Sequence, residues 1–284
     1  MFERTYIIGV GLLGSSLGIN LVSQKLSREV VGVGRDESNL KVAQRRKAIH
    51  RYIVIGSKKK SNLLAFTPKD LVILAAPVAT NIEYLKKIPT GVLVIDVGSV
   101  KGEIVRVADR FKKRFVGCHP IAGTEKTGAI AGEKDLFKKR FCIITPSKKS
   151  SKSDVLAVTK LWKSVGAIPQ LMTAAKHDAL FALTSHLPHV LAYTLMSQAV
   201  KKLKVQDWKF AFTSFRDATR VAASSVAMWA DILIENKKEV LKAVSIFKQQ
   251  LHLLEALIAK EDKKTLLNFL SQGQRAGQHK RVGL

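Results

Sequence analysis

At 284 residues, with 46% apolar side chains, the chain is long enough for one large core or two smaller ones. Forty-eight Lys and Arg against 22 Asp and Glu give a net charge of +26. No apolar stretch of the roughly 18 residues that a membrane span needs occurs, and the chain enters a strand-like run too early for a secretory leader. Cys118 and Cys142 form neither a disulfide framework nor a metal-binding spacing, so a reduced, cytoplasmic protein is expected. The basic residues are scattered in short groups, SKKKS at 57–61, RFKKRF at 110–115, FKKRF at 137–141 and SKKSSKS at 147–153. None is interleaved with stacking aromatics, and no helix-turn-helix or zinc-finger signature occurs. The charge reads as a solvated basic surface that steers anions, with no specific nucleic acid as partner.

In chain order, TYIIGV (5–10), VVGV (30–33), LVILAAP (71–77), VLVIDV (92–97), RFVGCHP (114–120) and FCIITP (141–146) are strand candidates. Their near-continuous apolar character suits parallel strands buried on both faces. Helical segments are expected at 14–25, 38–47, 80–87, 101–112 and 153–165, with a last short strand near 167–172. This alternation predicts an α/β domain built on an open, mostly parallel sheet. From about residue 174 the strand signals vanish and Leu/Ala/Val-rich helical stretches follow, at 174–203, 206–225, 227–235, 237–260 and 262–272. The expected organisation is a dinucleotide-binding, Rossmann-like domain at 1–172 and an all-α domain at 173–284 that buries one face against another copy.

The first turn carries the most specific local signal. IIGVGLLGSSLG places Gly9, Gly11 and Gly14 in G-x-G-x-x-G spacing, after a strand and opening a helix. Gly9 allows the tight turn, Gly11 lets the backbone approach a pyrophosphate, and Gly14 lets helix and strand pack closely. The phosphates then sit on the helix N-terminus, at Leu12 and Leu13. Just past the second strand, where NAD-binding members of this fold place an acid, the chain reads Gly34-Arg35-Asp36. A missing acid beside Arg35 favours a 2′-phosphate, hence NADP over NAD; a longer strand would instead bring Asp36 to the ribose.

Ligands of open α/β sheets sit beyond the carboxyl ends of the strands. Pro77, Ser99 with Lys101, and His119 fall at three such ends. Pro120 holds His119 extended, and a histidine there is a candidate general base. In the helical half, Arg216, Asp217 and Arg220 fall within about one turn, so that Arg220 can pair with Asp217 and offer a bidentate site to a carboxylate. SHLPH (185–189) sets His186 and His189 on one helix face, with Pro188 expected to kink the helix. The H-x-x-H spacing invites a metal, but no third and fourth ligand recurs, so none is expected. Buried, hydrogen-bonded core histidines are the alternative.

GVGLLGSSLG, LVILAAPV, VIDVGSVK, GCHPIAGTEKTGA, KHDALFALTSHLPHVLAYTL and FRDATRVAASSVAMWADI, in this order over about 5–235, resemble the prephenate/arogenate dehydrogenase family of tyrosine biosynthesis. The resemblance implies oxidative decarboxylation of prephenate to 4-hydroxyphenylpyruvate, with hydride transfer to NAD(P), in a homodimer formed through the helical domain. It implies that His119 accepts the hydroxyl proton and that Ser99 orients it beside the nicotinamide. By the same resemblance Arg220 holds a substrate carboxylate, His189 with its neighbour His186 faces the substrate, and Glu125, Asp217 and Trp229 shape or gate the pocket. An arogenate or dual-specificity enzyme is the nearer alternative. A non-catalytic, nucleotide-sensing or nucleic-acid-binding protein is the remote one, because fold alone does not fix function.

Overall fold

The central strands in the first part of the chain are short and apolar, and in the computed structural model both faces of the sheet are covered there. The structure describes residues 2–56, 64–123 and 126–282, without the side chains of 279–282. The SKKKS group and Glu125 therefore lie outside the described residues. Eight strands, β1 (Phe2–Ile8), β2 (Ser27–Gly34), β3 (Arg51–Val54), β4 (Leu71–Leu74), β5 (Leu93–Asp96), β6 (Arg114–Pro120), β7 (Phe141–Pro146) and β8 (Ile168–Leu171), pair in the order β3-β2-β1-β4-β5-β6-β7-β8. All neighbours are parallel except β6 and β7, which run antiparallel with His119 opposite Ile143. Alternate residues feed opposite faces. Ile7, Ile73 and Ile95 join Leu17, Leu21 and Trp162 on one side, while Tyr6, Ile8, Val72 and Val94 join Leu85, Ile104 and Phe115 on the other.

The connections are helical: α1 (Leu12–Ser23), α2 (Glu37–Arg45), α3 (Val78–Lys87), α4 (Gly102–Arg110) and α5 (Lys152–Ser164). Ser151 and Asp154 cap α5 reciprocally, each side chain accepting from the other's backbone N–H. The chain order reverses between β1 and β4, which makes their carboxyl ends the switch point where such sheets bind ligands.

A helical run then extends from Ala174 to Lys202, as α6 (Ala174–Phe181), a π-helical turn (Ala182–His186) and α7 (Leu187–Lys202). At 29 residues it is long and apolar enough to cross a membrane by length and composition alone. Its buried polar residues His177, Asp178 and His186 are hydrogen-bonded to the rest of the protein, as in the core helix of a globular domain. The expected 206–225 helix is instead broken into a 3-10 segment (Val205–Phe210), α8 (Thr213–Thr219) and a second 3-10 turn (Arg220–Ala223). Helix α9 (Val226–Glu235) follows, started by Ser225, whose hydroxyl accepts from the Met228 N–H.

By compactness the chain divides into Met1–Lys237 and Lys238–Leu284. Helices α10 (Lys237–Ala259) and α11 (Lys263–Val282) make up the second unit, joined by a turn in which Asp262 accepts from the Thr265 N–H at 3.0 Å. Leu241, Ile246, Leu251, Leu253, Ile258, Leu267 and Leu270 are exposed on them.

Candidate active site

The nucleotide end of the site is built by glycines. Gly9 has φ +93°, and a Cβ there would lie 2.6 Å from the Ala75–Ala76 backbone, so only glycine lets the β1 turn cross the end of β4. At Gly14 a Cβ would meet the Gly9 carbonyl at 2.3 Å, which is the close helix–strand packing expected of the third glycine. Gly11 faces open space and caps α1 with no side chain. The first backbone N–H groups of α1, at Leu12, Leu13 and Gly14, thus have no intrahelical acceptor and suit a pyrophosphate. These residues fit a dinucleotide. Asn39 Nδ2 donates to the Val10 carbonyl at 2.8 Å and steadies the turn from α2. Across the switch point, Asn81 donates to the Ala76 carbonyl at 2.8 Å and accepts from the Ala76 N–H at 3.1 Å, holding the turn before Pro77, which starts α3.

Strand β2 stops at Gly34, two residues before Asp36. Asp36 caps α2, accepting from the Ser38 N–H, the Ser38 hydroxyl and the Asn39 N–H, and these bonds hold its pKa below the usual carboxylate value. Arg35 is exposed beside it. Its charge reaches Tyr84 of α3, whose hydroxyl burial pushes up and Arg35 pulls back down.

At the other end, β6 presents His119. The ring is half-buried and stands 4.8 Å, centroid to centroid, from Phe181. Its Nδ1 lies 2.8 Å from His177 Nε2, and His177 Nδ1 lies 2.7 Å from Asp178 Oδ1. Burial first, then the nearby His177, Lys101 and His186, hold the His119 pKa well below 6.5. Ser99 sits in the bend between β5 and α4, half-buried. Lys101, placed by its sequence position at the mouth of the cleft, is instead fully buried: its ammonium pairs with Asp96 and donates to the Cys118 carbonyl at 2.9 Å. It braces β5 against β6 from beneath.

His189 stacks on Trp229, with centroids 3.5 Å apart and planes 20° from parallel, and its Nδ1 donates to the Ser185 carbonyl at 2.9 Å. Burial lowers the His189 pKa, the Ser185 bond opposes this, and the charge of Arg220 lowers it further. Trp229 packs with Val100 and Ile232, and its buried Nε1 has no partner among the described residues. His186 lies edge-on to Trp229 at 5.9 Å, and Asn236 Nδ2 donates to its Nδ1 at 3.1 Å and to the Asp178 carbonyl at 2.9 Å. Desolvation lowers the His186 pKa to about 4.

Pro188 follows a π-helical turn, where the chain has already left α-helical hydrogen bonding. One expectation needs correction. Arg220 and Asp217 form no ion pair: α8 ends at Thr219 and Arg220 opens a 3-10 turn, which changes the direction of its side chain. Asp217 is exposed and not part of the cluster, and Arg216 lies over the Phe212 ring at 5.5 Å. The structure gathers His119, His186, His189, Trp229 and Arg220, and adds His177, Asp178 and Asn236, which sequence reasoning missed. A His-Asp pair inside the apolar stretch AAKHDALF was the available signal, because such a pair needs buried partners.

Residues 20–170 match the family model described as prephenate dehydrogenase, nucleotide-binding domain, and residues 173–272 match prephenate dehydrogenase, dimerization domain. The chain is 34% identical over 289 residues to a cyclohexadienyl dehydrogenase of Zymomonas mobilis, covering 97% of this chain and 95% of that one. It is 30% identical to a prephenate dehydrogenase of Lactococcus lactis, over 97% of this chain and 77% of the relative. The structure of a prephenate dehydrogenase from A. aeolicus, in complex with hydroxyphenyl propionate and NAD+, superposes with a TM-score of 0.88 at 30% identity, covering 98% of both chains. With its glycine cradle, its strand-tip histidine and both domain matches, the chain belongs to the prephenate dehydrogenase family of NAD(P)-dependent oxidoreductases.

Proposed function

We propose that the chain converts prephenate to 4-hydroxyphenylpyruvate and carbon dioxide, using NADP in preference to NAD. The observation that carries this reading is His119 at the tip of β6, on a dinucleotide-binding sheet, with its His177–Asp178 partners tied through Asn236 to His186 beside the His189–Trp229 stack. A bound nicotinamide supplies the hydride acceptor. His119 takes the proton of the ring hydroxyl, and a low pKa keeps its ring neutral and ready to accept near pH 7. Ser99, on the bend after β5, orients His119 near the nicotinamide. Arg220 holds a substrate carboxylate, an always-charged, forked donor suited to that group. His189 meets the substrate with the ring face not covered by Trp229, while His186 and Trp229 shape the wall and the unpartnered Trp229 Nε1 has a donor to offer. Loss of carbon dioxide makes the ring aromatic, so orientation and one base suffice from the protein.

The preference for NADP rests on Arg35 being exposed past the last residue of β2, while Asp36 caps α2 through Oδ1. We assign the nucleotide to residues 1–172 and dimerisation to 173–284, with the exposed apolar residues of α10 and α11 as part of the contact. The two buried, unpaired cysteines are in keeping with a cytoplasmic setting.

An assay at about 340 nm that crosses prephenate and arogenate with NAD and NADP tests this reading directly. Prephenate with NADP should give the highest kcat/KM. Turnover of both substrates would make this a dual-specificity enzyme. Turnover with NAD alone would overturn the Arg35 argument. Folded protein that reduces neither cofactor would move the reading to a non-catalytic nucleotide-binding protein.

A further inference from the structure

His177 and Asp178 stand behind His119, both buried, where neither reaches the open side of the pocket. Asp178 is held by the start of α4: Oδ1 accepts from the Lys101 N–H at 2.9 Å and Oδ2 from the Gly102 N–H at 2.7 Å. A side chain at position 102 would prevent this, since a Cβ on Gly102 would lie 2.6 Å from Asp178 Oδ2. The carboxylate is thus fixed by two backbone donors at a helix N-terminus, where negative charge is favoured. Its third bond is to His177.

The partners assign the tautomers in sequence. A carboxylate only accepts, so His177 Nδ1 carries the hydrogen and donates to Asp178. Neutral His177 then has its lone pair on Nε2, which accepts from His119 Nδ1. His119 in turn keeps its lone pair on Nε2. We propose that His177 and Asp178 are positioning residues for His119, fixing the tautomer and ring orientation that leave Nε2 free to take the substrate proton. This rests on the reading of His119 as the base.

The proton that leaves the substrate hydroxyl binds Nε2, and Nδ1–H stays on His177. The resulting imidazolium faces a dyad that ends in a carboxylate, which stabilises the charge through the intervening ring. The other charged or titratable groups facing the pair are Lys101 and Asp96 from below and His186 from the helix side. Phe181 covers both rings, at 4.8 Å from His119 and 4.5 Å from His177, and keeps water off the dyad.

Two measurements test the proposal. Long-range 1H–15N spectra of histidine-labelled protein should show His119 protonated at Nδ1 and bare at Nε2, and His177→Leu should abolish that preference. This readout needs no turnover, so it stands apart from failure of the proposed reaction. In steady-state kinetics, His177→Leu should lower kcat about 100-fold, the range general-base assistance covers, with KM and cofactor affinity within about threefold. His177→Gln can accept from His119 and donate to Asp178, and should recover at least about tenfold of the loss. Asp178→Asn removes the anion behind the imidazolium and should move the acid limb of the kcat profile to lower pH. A bare Nδ1 on His119, a His177→Leu kcat within about threefold of wild type, or an acid limb unmoved in Asp178→Asn would each overturn the proposal. So would no recovery in a His177→Gln protein that binds cofactor and melts like wild type.

Discussion

His186 makes the acid stability of this protein calculable. Its side chain is buried, 1% of the residue being exposed, and its Nδ1 accepts from Asn236, an arrangement that only the neutral ring can keep. Desolvation lowers its pKa from 6.5 to about 4. Between those values the unfolded chain holds a proton that the folded chain refuses, so stability falls as the pH drops from 6.5 towards 4 and the loss levels off below that. At about 1.4 kcal/mol per pH unit the window is worth about 3 kcal/mol. His186→Gln keeps an acceptor for Asn236 but does not titrate. Urea unfolding followed by tryptophan fluorescence at pH 7 and pH 4 gives the comparison. All three tryptophans, Trp162, Trp208 and Trp229, lie in the Met1–Lys237 unit and report on it. Every other titrating group contributes alike to both proteins and cancels in the difference. The wild type should lose about 3 kcal/mol more than the variant between the two pH values. Parallel losses would show that His186 accepts its proton without unfolding and that its pocket is wetter than the geometry says.

Gly14→Val drives a side chain into the Gly9 carbonyl and should weaken cofactor binding by more than about tenfold in a fluorescence titration. Lys101→Met strips the buried partner from Asp96 and should cost about 3–5 kcal/mol in denaturant unfolding. Asn236→Leu leaves the Asp178 carbonyl and His186 Nδ1 without a donor, a loss of about 2–4 kcal/mol on the same assay. Arg220→Gln should raise KM for prephenate about 10- to 100-fold, the worth of one charge-assisted pair, while leaving the melting temperature unchanged because the residue is exposed.

How much of this could be read in advance differs by element. Six of the strands are legible as runs rich in apolar residues, and β8, at one sheet edge with Ile168 and Leu171 41% and 59% exposed, is legible only by its place after α5. The exception is β3, four residues at the sheet edge, where only Ile53 is buried and Arg51 points to solvent, so RYIV carries no such signature. Helical periodicity served less well between 205 and 223. Val205, Phe210 and Phe212 are 89%, 75% and 69% exposed, so the apolar count there does not describe a face turned to this chain's own core. In the site, the glycines and His119 follow from local rules of turn and strand end. The dyad does not: His119 meets His177 across 58 residues, and Asp178 meets Lys101 across 77, so only the folded chain brings them together.

Two boundaries run through this chain, and they answer different questions. Near residue 172 the pattern of side chains changes from alternating strand and helix to helix alone, which is a statement about local structure. The compact unit runs on to Lys237. What carries it across is polar as much as apolar. Asp178 of α6 is clamped by the start of α4, Asn236 after α9 donates back to the Asp178 carbonyl, and Trp229 of α9 packs on Val100 beside Ser99. Each of these ties also positions a proposed site residue: His177 through Asp178, His186 through Asn236, and His189 through Trp229. Breaking a tie therefore both loosens the helices from the sheet and misplaces the ring it supports. Substitutions at Asp178, Asn236 or Trp229 should lower stability and kcat together, whereas Arg220 and Ser99, which carry no such tie, should separate the two.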